Sequence, residues 1–80
     1  MIIKAKIKEK KKVFIDTPYI KLDSFLKLAD AVQTGGHAKI VINEGEVKVN
    51  GEVCLQRGKK IRQGDVVKFD NNVYEAVQKV

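Results

Sequence analysis

Eighty residues, 44% of them hydrophobic, leave room for one sheet and two or three short helices, and exclude a two-domain enzyme. A net charge of +6 favours a polyanionic partner, either nucleic acid or an anionic membrane face. That charge is uneven, because residues 1–12 hold six lysines and one glutamate while residues 13–80 hold ten basic and nine acidic side chains, so position has to decide what total charge does not.

Ile3-Lys4-Ala5-Lys6-Ile7-Lys8 alternates apolar and charged side chains, which predicts a half-buried strand with three lysines on its outer face. The polar stretch Glu9 to Lys12 is expected to turn the chain into a second apolar run, Val13-Phe14-Ile15, giving an N-terminal hairpin. Asp16-Thr17-Pro18 then punctuates, since proline fixes its own φ and biases the preceding residue away from helix. From Lys21 the period changes. Leu22, Phe25, Leu26, Ala29 and Val32 recur at helical spacing, with Asp23 in the first turn, where the helix dipole favours a carboxylate. Gly35-Gly36 interrupts this helix at about 1 kcal/mol per glycine. Ala38, Val41 and Ile42 then predict a second, shorter helix, stopped by Asn43-Glu44-Gly45 with Gly45 in the left-handed closing position.

Alternation returns in Glu46-Val47-Lys48-Val49, and Asn50-Gly51 is the strongest two-residue hairpin signal, leading into Glu52-Val53-Cys54-Leu55. A polar connection from Gln56 to Lys60 carries Arg57, Lys59 and Lys60 around Gly58. Gly64-Asp65 turns the chain into Val66-Val67-Lys68-Phe69, and Asp70-Asn71-Asn72 turns it again into a last strand from Val73 to about Val77.

Lys21-Leu22-Asp23, then Thr34-Gly35-Gly36-His37-Ala38-Lys39, then Gly45-Glu46-Val47-Lys48-Val49-Asn50-Gly51, then Gly64-Asp65-Val66-Val67 form an ordered set. This set resembles the RNA-binding domain of ribosomal small-subunit protein S-four, the alpha-L motif, and in particular its small stand-alone bacterial members. The likeness covers residues 21–69. It implies an α+β fold in which two short helices pack on a small, bent, mostly antiparallel sheet. Residues 1–15 would add a lysine-rich N-terminal strand or hairpin, and residues 1–80 would make one domain. It further implies that the helix pair and the following loop contact structured RNA, ribosomal RNA or tRNA, in ribosome assembly or translation. Larger members often open the second helix with Ser-Arg where Gly35-Gly36 stand here, so one frequent phosphate-contacting arginine is missing.

If Thr34 caps the second helix, its free backbone N–H groups and those of Gly35, Gly36 and His37 point outward at an end whose dipole attracts phosphate. The glycine pair equally suits a tight bend between helices. Lys21, Lys27, His37 and Lys39 would share a basic groove with Arg57, Lys59 and Lys60 if the hairpin folds back over the helix pair. Arg57 is the best placed for a bidentate phosphate contact. Charged loop residues taken alone are ordinarily solvated surface, and the resemblance makes Lys39, Arg57, Lys59 and Lys60 expected RNA contacts. Lys4, Lys6 and Lys8 read as guards against edge-to-edge aggregation before they read as phosphate contacts.

One histidine and the single Cys54 provide no zinc ligand set and no disulfide, and Cys54 reads as packing. With no orienting third group for a Cys-His pair and no clustered acids, neither an enzyme, a metal nor a cofactor is expected. Apolar runs of three residues fall far short of the roughly 20 that cross a bilayer, and the start lacks a signal-peptide core. A cytoplasmic monomer without a membrane partner is the expectation. Phe14, Tyr19, Phe25, Phe69 and Tyr74 are dispersed rather than paired as a stacking platform, which favours recognition of folded RNA by shape and phosphate. The alternative is a protein-interaction adaptor that keeps the fold with a weakened RNA surface, and DNA binding ranks below both.

Overall fold

The computed structural model describes residues 10–79. Their elements run β1 (Lys10–Ile15), β2 (Ile20–Lys21), α1 (Leu22–Leu28), α2 (Gly35–Asn43), β3 (Val47–Val49), β4 (Glu52–Val53), β5 (Lys60–Ile61), β6 (Val66–Phe69) and β7 (Asn72–Gln78). Five strands form one sheet in the order β1-β7-β6-β3-β4, while β2 and β5 form a separate two-stranded ribbon. All pairings are antiparallel except β1 with β7. The arrangement is α+β, two short helices against a mostly antiparallel sheet, as the resemblance implied.

The N-terminal expectation is corrected in part. Lys10–Lys12, read as a turn, are the first half of β1 and lie opposite Val73, Tyr74 and Glu75 in parallel register. The predicted strand at Ile3–Ile7 lies outside the described residues. The partner of Val13–Ile15 is thus the far end of the chain, where Gln78 Nε2 donates to the Ile15 carbonyl at 3.3 Å. Val13 and Ile15 face the core and Phe14 faces out, following the two-residue period of a strand. β1 is an edge strand, and its lysines are drawn toward β7: Lys10 Nζ sits 3.3 Å from Glu75 Oε1, and Lys11 Nζ lies 5.9 Å from the Tyr74 ring centre.

Leu22, Phe25 and Leu26 are fully buried, so the predicted stripe is the core face of α1. The helix nevertheless ends at Leu28 rather than running on to Val32. Asp30 takes the left-handed closing conformation (φ 61°), and the N–H groups of Ala29, Asp30 and Ala31 return to the carbonyls of Phe25, Lys27 and Leu26. The hooked chain still delivers Val32 to the core at 2% exposure.

Gly35 and Gly36 are not a break either, for they form the first turn of α2. Burial of Val41 and Ile42 contributes about 2 kcal/mol each, which offsets the roughly 1 kcal/mol propensity cost of each glycine. At its other end Gly45 (φ 77°) closes the helix, with Glu46 N–H donating to the Val41 carbonyl at 3.0 Å. Asn50 and Gly51 (φ 51° and 90°) then make the predicted hairpin between β3 and β4. Residues from both helices and from β1, β3, β5, β6 and β7 form one hydrophobic cluster.

Candidate nucleic-acid interface

The first N–H groups of a helix have no partner within it. In α1 the Lys21 side chain does not cap them, and the loop before β5 does so instead. Leu22 N–H donates to the Lys59 carbonyl at 2.8 Å and Asp23 N–H to the Arg57 carbonyl at 3.2 Å. The loop that carries Arg57 and Lys59 is therefore fixed to the start of the helix. Its own turn is closed by Lys59 N–H on the Gln56 carbonyl at 3.2 Å.

Just beyond, β2 and β5 pair with Ile20 opposite Ile61 and Lys21 opposite Lys60. Ile61 is fully buried and Ile20 packs on the same core, so the flanking positions Tyr19, Lys21, Lys60 and Arg62 fall on the outward face. Lys60 Nζ lies 4.9 Å and Arg62 Cζ 5.7 Å from the centre of the Tyr19 ring. Like charges directly opposite one another destabilise a strand pair. Among the described residues no carboxylate is ion-paired to Lys21, Arg57, Lys59, Lys60 or Arg62.

Arg62 is positioned from outside the ribbon. Its N–H donates to Asp65 Oδ2 at 2.8 Å, while Asp65 Oδ1 accepts from Asn50 Nδ2 at 3.1 Å, and Asn50 Oδ1 accepts from Val66 N–H at 2.9 Å. The hairpin turn is thereby clamped to the turn before β6, across fifteen residues of sequence. This contact gives a physical reason for the spacing of Asn50-Gly51 and Gly64-Asp65.

A second exposed cluster stands at the start of α2. Thr34 Oγ1 accepts from His37 N–H at 3.0 Å, which is the cap the sequence predicted. Gly35, Gly36, His37 and Lys39 are all exposed. A Cβ at Gly35 would meet nothing within 4 Å, and one at Gly36 only Thr34 Oγ1 at 3.9 Å. Neither residue has a positive φ, so packing and backbone geometry leave both glycines unexplained.

Of the expected site residues, the ribbon and its loop bring together Lys21, Arg57, Lys59 and Lys60. Thr34, Gly35, Gly36, His37 and Lys39 form the second group, on the neighbouring helix. Lys27 stands five residues along α1 from Leu22, roughly 8 Å down the axis, away from the ribbon. Tyr19 and Arg62 escaped the sequence reading, although period-two alternation in Tyr19-Ile20-Lys21 and Lys60-Ile61-Arg62 was its only trace. Two-residue strands are too short for periodicity to register, and a partner forty residues away is not a local signal. Cys54 packs partly against the core. Among the described residues no group of three or more His, Cys, Asp or Glu is placed to hold a metal ion, and no helix is long and apolar enough to cross a membrane.

The S4 domain model matches residues 13–77. This chain belongs to the S4 domain family. It is 50% identical over 58 residues to the probable ribosome maturation protein RlbA of Bacillus subtilis, covering 72% of this chain and 82% of the relative. It is 38% identical over 60 residues to the putative RNA-binding protein YbcJ of Escherichia coli, covering 75% and 86%. The solution structure of Escherichia coli YbcJ, described as revealing an alpha-L motif involved in RNA-binding, aligns over 96% of both chains with a TM-score of 0.62 and 32% identity. The 30S ribosomal protein S4e of Thermoplasma acidophilum shares the fold at a TM-score of 0.58 and 19% identity, over 75% of this chain and 32% of that one. This S4 domain has the alpha-L fold with the helix pair set beside a charged ribbon.

Proposed function

We propose that this S4 domain is a non-catalytic RNA-binding module that docks structured RNA through phosphate and shape contacts. The observation that carries the reading is the outward face of the β2–β5 ribbon and its loop, where Lys21 stands directly opposite Lys60 beside Arg57 and Lys59 with no described acid to neutralise them. Such a face stores like-charge repulsion that a phosphate backbone relieves, and binding there releases the counterions of the nucleic acid. The capped start of α2, from Thr34 to His37 with Lys39, supplies the second contact, backbone N–H groups to phosphate. The names of the relatives, one a ribosome maturation protein and one an RNA-binding protein, support ribosomal RNA as the first ligand to test and tRNA as the second. Ribosome assembly in the cytoplasm is the context this reading assigns.

Replacing Arg57, Lys59 and Lys60 together by Ala should weaken binding to a folded RNA hairpin junction and make the slope of log affinity against log salt shallower by about two. The helical circular dichroism of the variant should match the parent. Unchanged affinity in a folded triple variant sinks the ribbon as the docking face.

Val53 and Leu55, both more than half exposed and both beside Gly45, favour a protein contact as a second role for the β4 edge. That edge is separate from the ribbon, so RNA affinity should survive Val53→Ser with Leu55→Ser.

A further inference from the structure

The basic ribbon carries an aromatic ring at its centre, and phosphate binding gives that ring no part. Tyr19 is 38% exposed, whereas Tyr74 is 3% exposed in the core. Its backbone is fixed by the Thr17 hydroxyl, which donates to the Tyr19 carbonyl at 2.7 Å. Lys60 and Arg62 both lie on its ring, and Lys21 projects from the same face. A polyanion alone would be served as well by cations without a ring.

A π-face among cations has the chemistry of a nucleotide site. The ring takes a base by stacking, the cations take the phosphates on either side of it, and the planar guanidinium of Arg62 is a second stacking surface. A base inside a duplex presents no free face to such a ring. We infer that Tyr19, with Lys21, Lys60 and Arg62, receives one unpaired nucleotide of the structured RNA, so that the ligand is a helix interrupted by a bulge or ending in a single-stranded overhang. The inference rests on the RNA-binding reading above and narrows it from folded RNA to folded RNA with an unstacked base beside the helix.

The test uses two dye-labelled hairpins of equal length, one with a single bulged adenosine and one fully paired, titrated against the parent, Tyr19→Leu and Tyr19→Phe. Tyr19→Leu is expected to weaken binding to the bulged hairpin by about ten-fold and to change binding to the paired hairpin less than two-fold. Tyr19→Phe keeps the ring and should bind both as the parent does. The chain has no Trp, so Tyr19→Trp places a unique fluorophore at the site. Its emission should be quenched by unlabelled bulged RNA, a readout that holds even if Tyr19→Leu fails to fold. Parent-like affinity of Tyr19→Leu for both hairpins, or unchanged emission from Tyr19→Trp at saturation, overturns the stacking site and leaves RNA binding intact. A loss in Tyr19→Phe as large as in Tyr19→Leu overturns it too, by making the hydroxyl the contact. Failure of the parent to bind either hairpin overturns both readings.

Discussion

Gly35 and Gly36 have room for a methyl group and ordinary helical backbone, yet both are glycine at the point where α2 opens to solvent. A residue that folding does not require, placed where backbone N–H groups face outward, suits close approach by a partner. Gly35→Ala should therefore raise stability by up to about 1 kcal/mol, because alanine reduces the entropy of the unfolded chain and favours helix. The same variant should bind structured RNA more weakly. Urea denaturation and an RNA titration on one preparation check both halves, and affinity equal to the parent's would remove the glycine pair from the interface. Thr34→Ala, by contrast, loses the cap to His37 N–H and should cost about 1 kcal/mol. Thr34 was recognisable from its place before the helix. Lys27 was chosen for its charge alone, and its distance from the ribbon depends on where the helix begins.

The elements show where a local pattern stops being informative. The apolar stripe through Leu22, Phe25, Leu26, Ala29 and Val32 reads as an uninterrupted helix, and all five residues do approach the core. The helix ends early because Asp30 adopts the left-handed conformation that glycine would have announced. Asp30→Gly should hold or raise stability by up to about 1 kcal/mol, since it relieves the left-handed penalty and removes a carboxylate from the negative end of the helix dipole. Asp30→Val should lower stability by about 1–2 kcal/mol, as a β-branched side chain resists that φ. Thermal denaturation of the pair checks the assignment, and equal melting temperatures would contradict it. Where the signal was chemical rather than periodic, as at Asn50-Gly51 and Gly45, boundary and turn type both agree with the structure.

For the whole molecule the Asn50–Asp65 clamp ties the β3–β4 hairpin to the turn that follows Arg62, and through it to the charged ribbon. Asn50→Gly keeps the turn and loses both side-chain bonds, so it should cost about 1–2 kcal/mol. Combined with Asp65→Ala it should cost less than the sum of the two, because both variants break the same contact. A strictly additive double variant in denaturant titrations would show that the two side chains act independently. The parallel pairing of β1 with β7 joins the two ends of the described chain, leaving the charges of Lys10 and Lys11 over β7 and away from the ribbon.

By itself the sequence determined the content of this protein: an α+β chain with a helix pair, an Asn-Gly hairpin, a capped second helix and a cation-rich loop. Each of these depends on residues close together in the chain, through side-chain period, proline and glycine geometry, or a cap three residues away. Tertiary structure alone decided that β1 joins the C-terminal strand, that the Arg57–Lys59 backbone caps α1, and that Tyr19, Lys21, Lys60 and Arg62 share one face. Those outcomes depend on contacts between residues some 35 to 60 positions apart. They are selected by burial of a common core, which no local window of sequence contains.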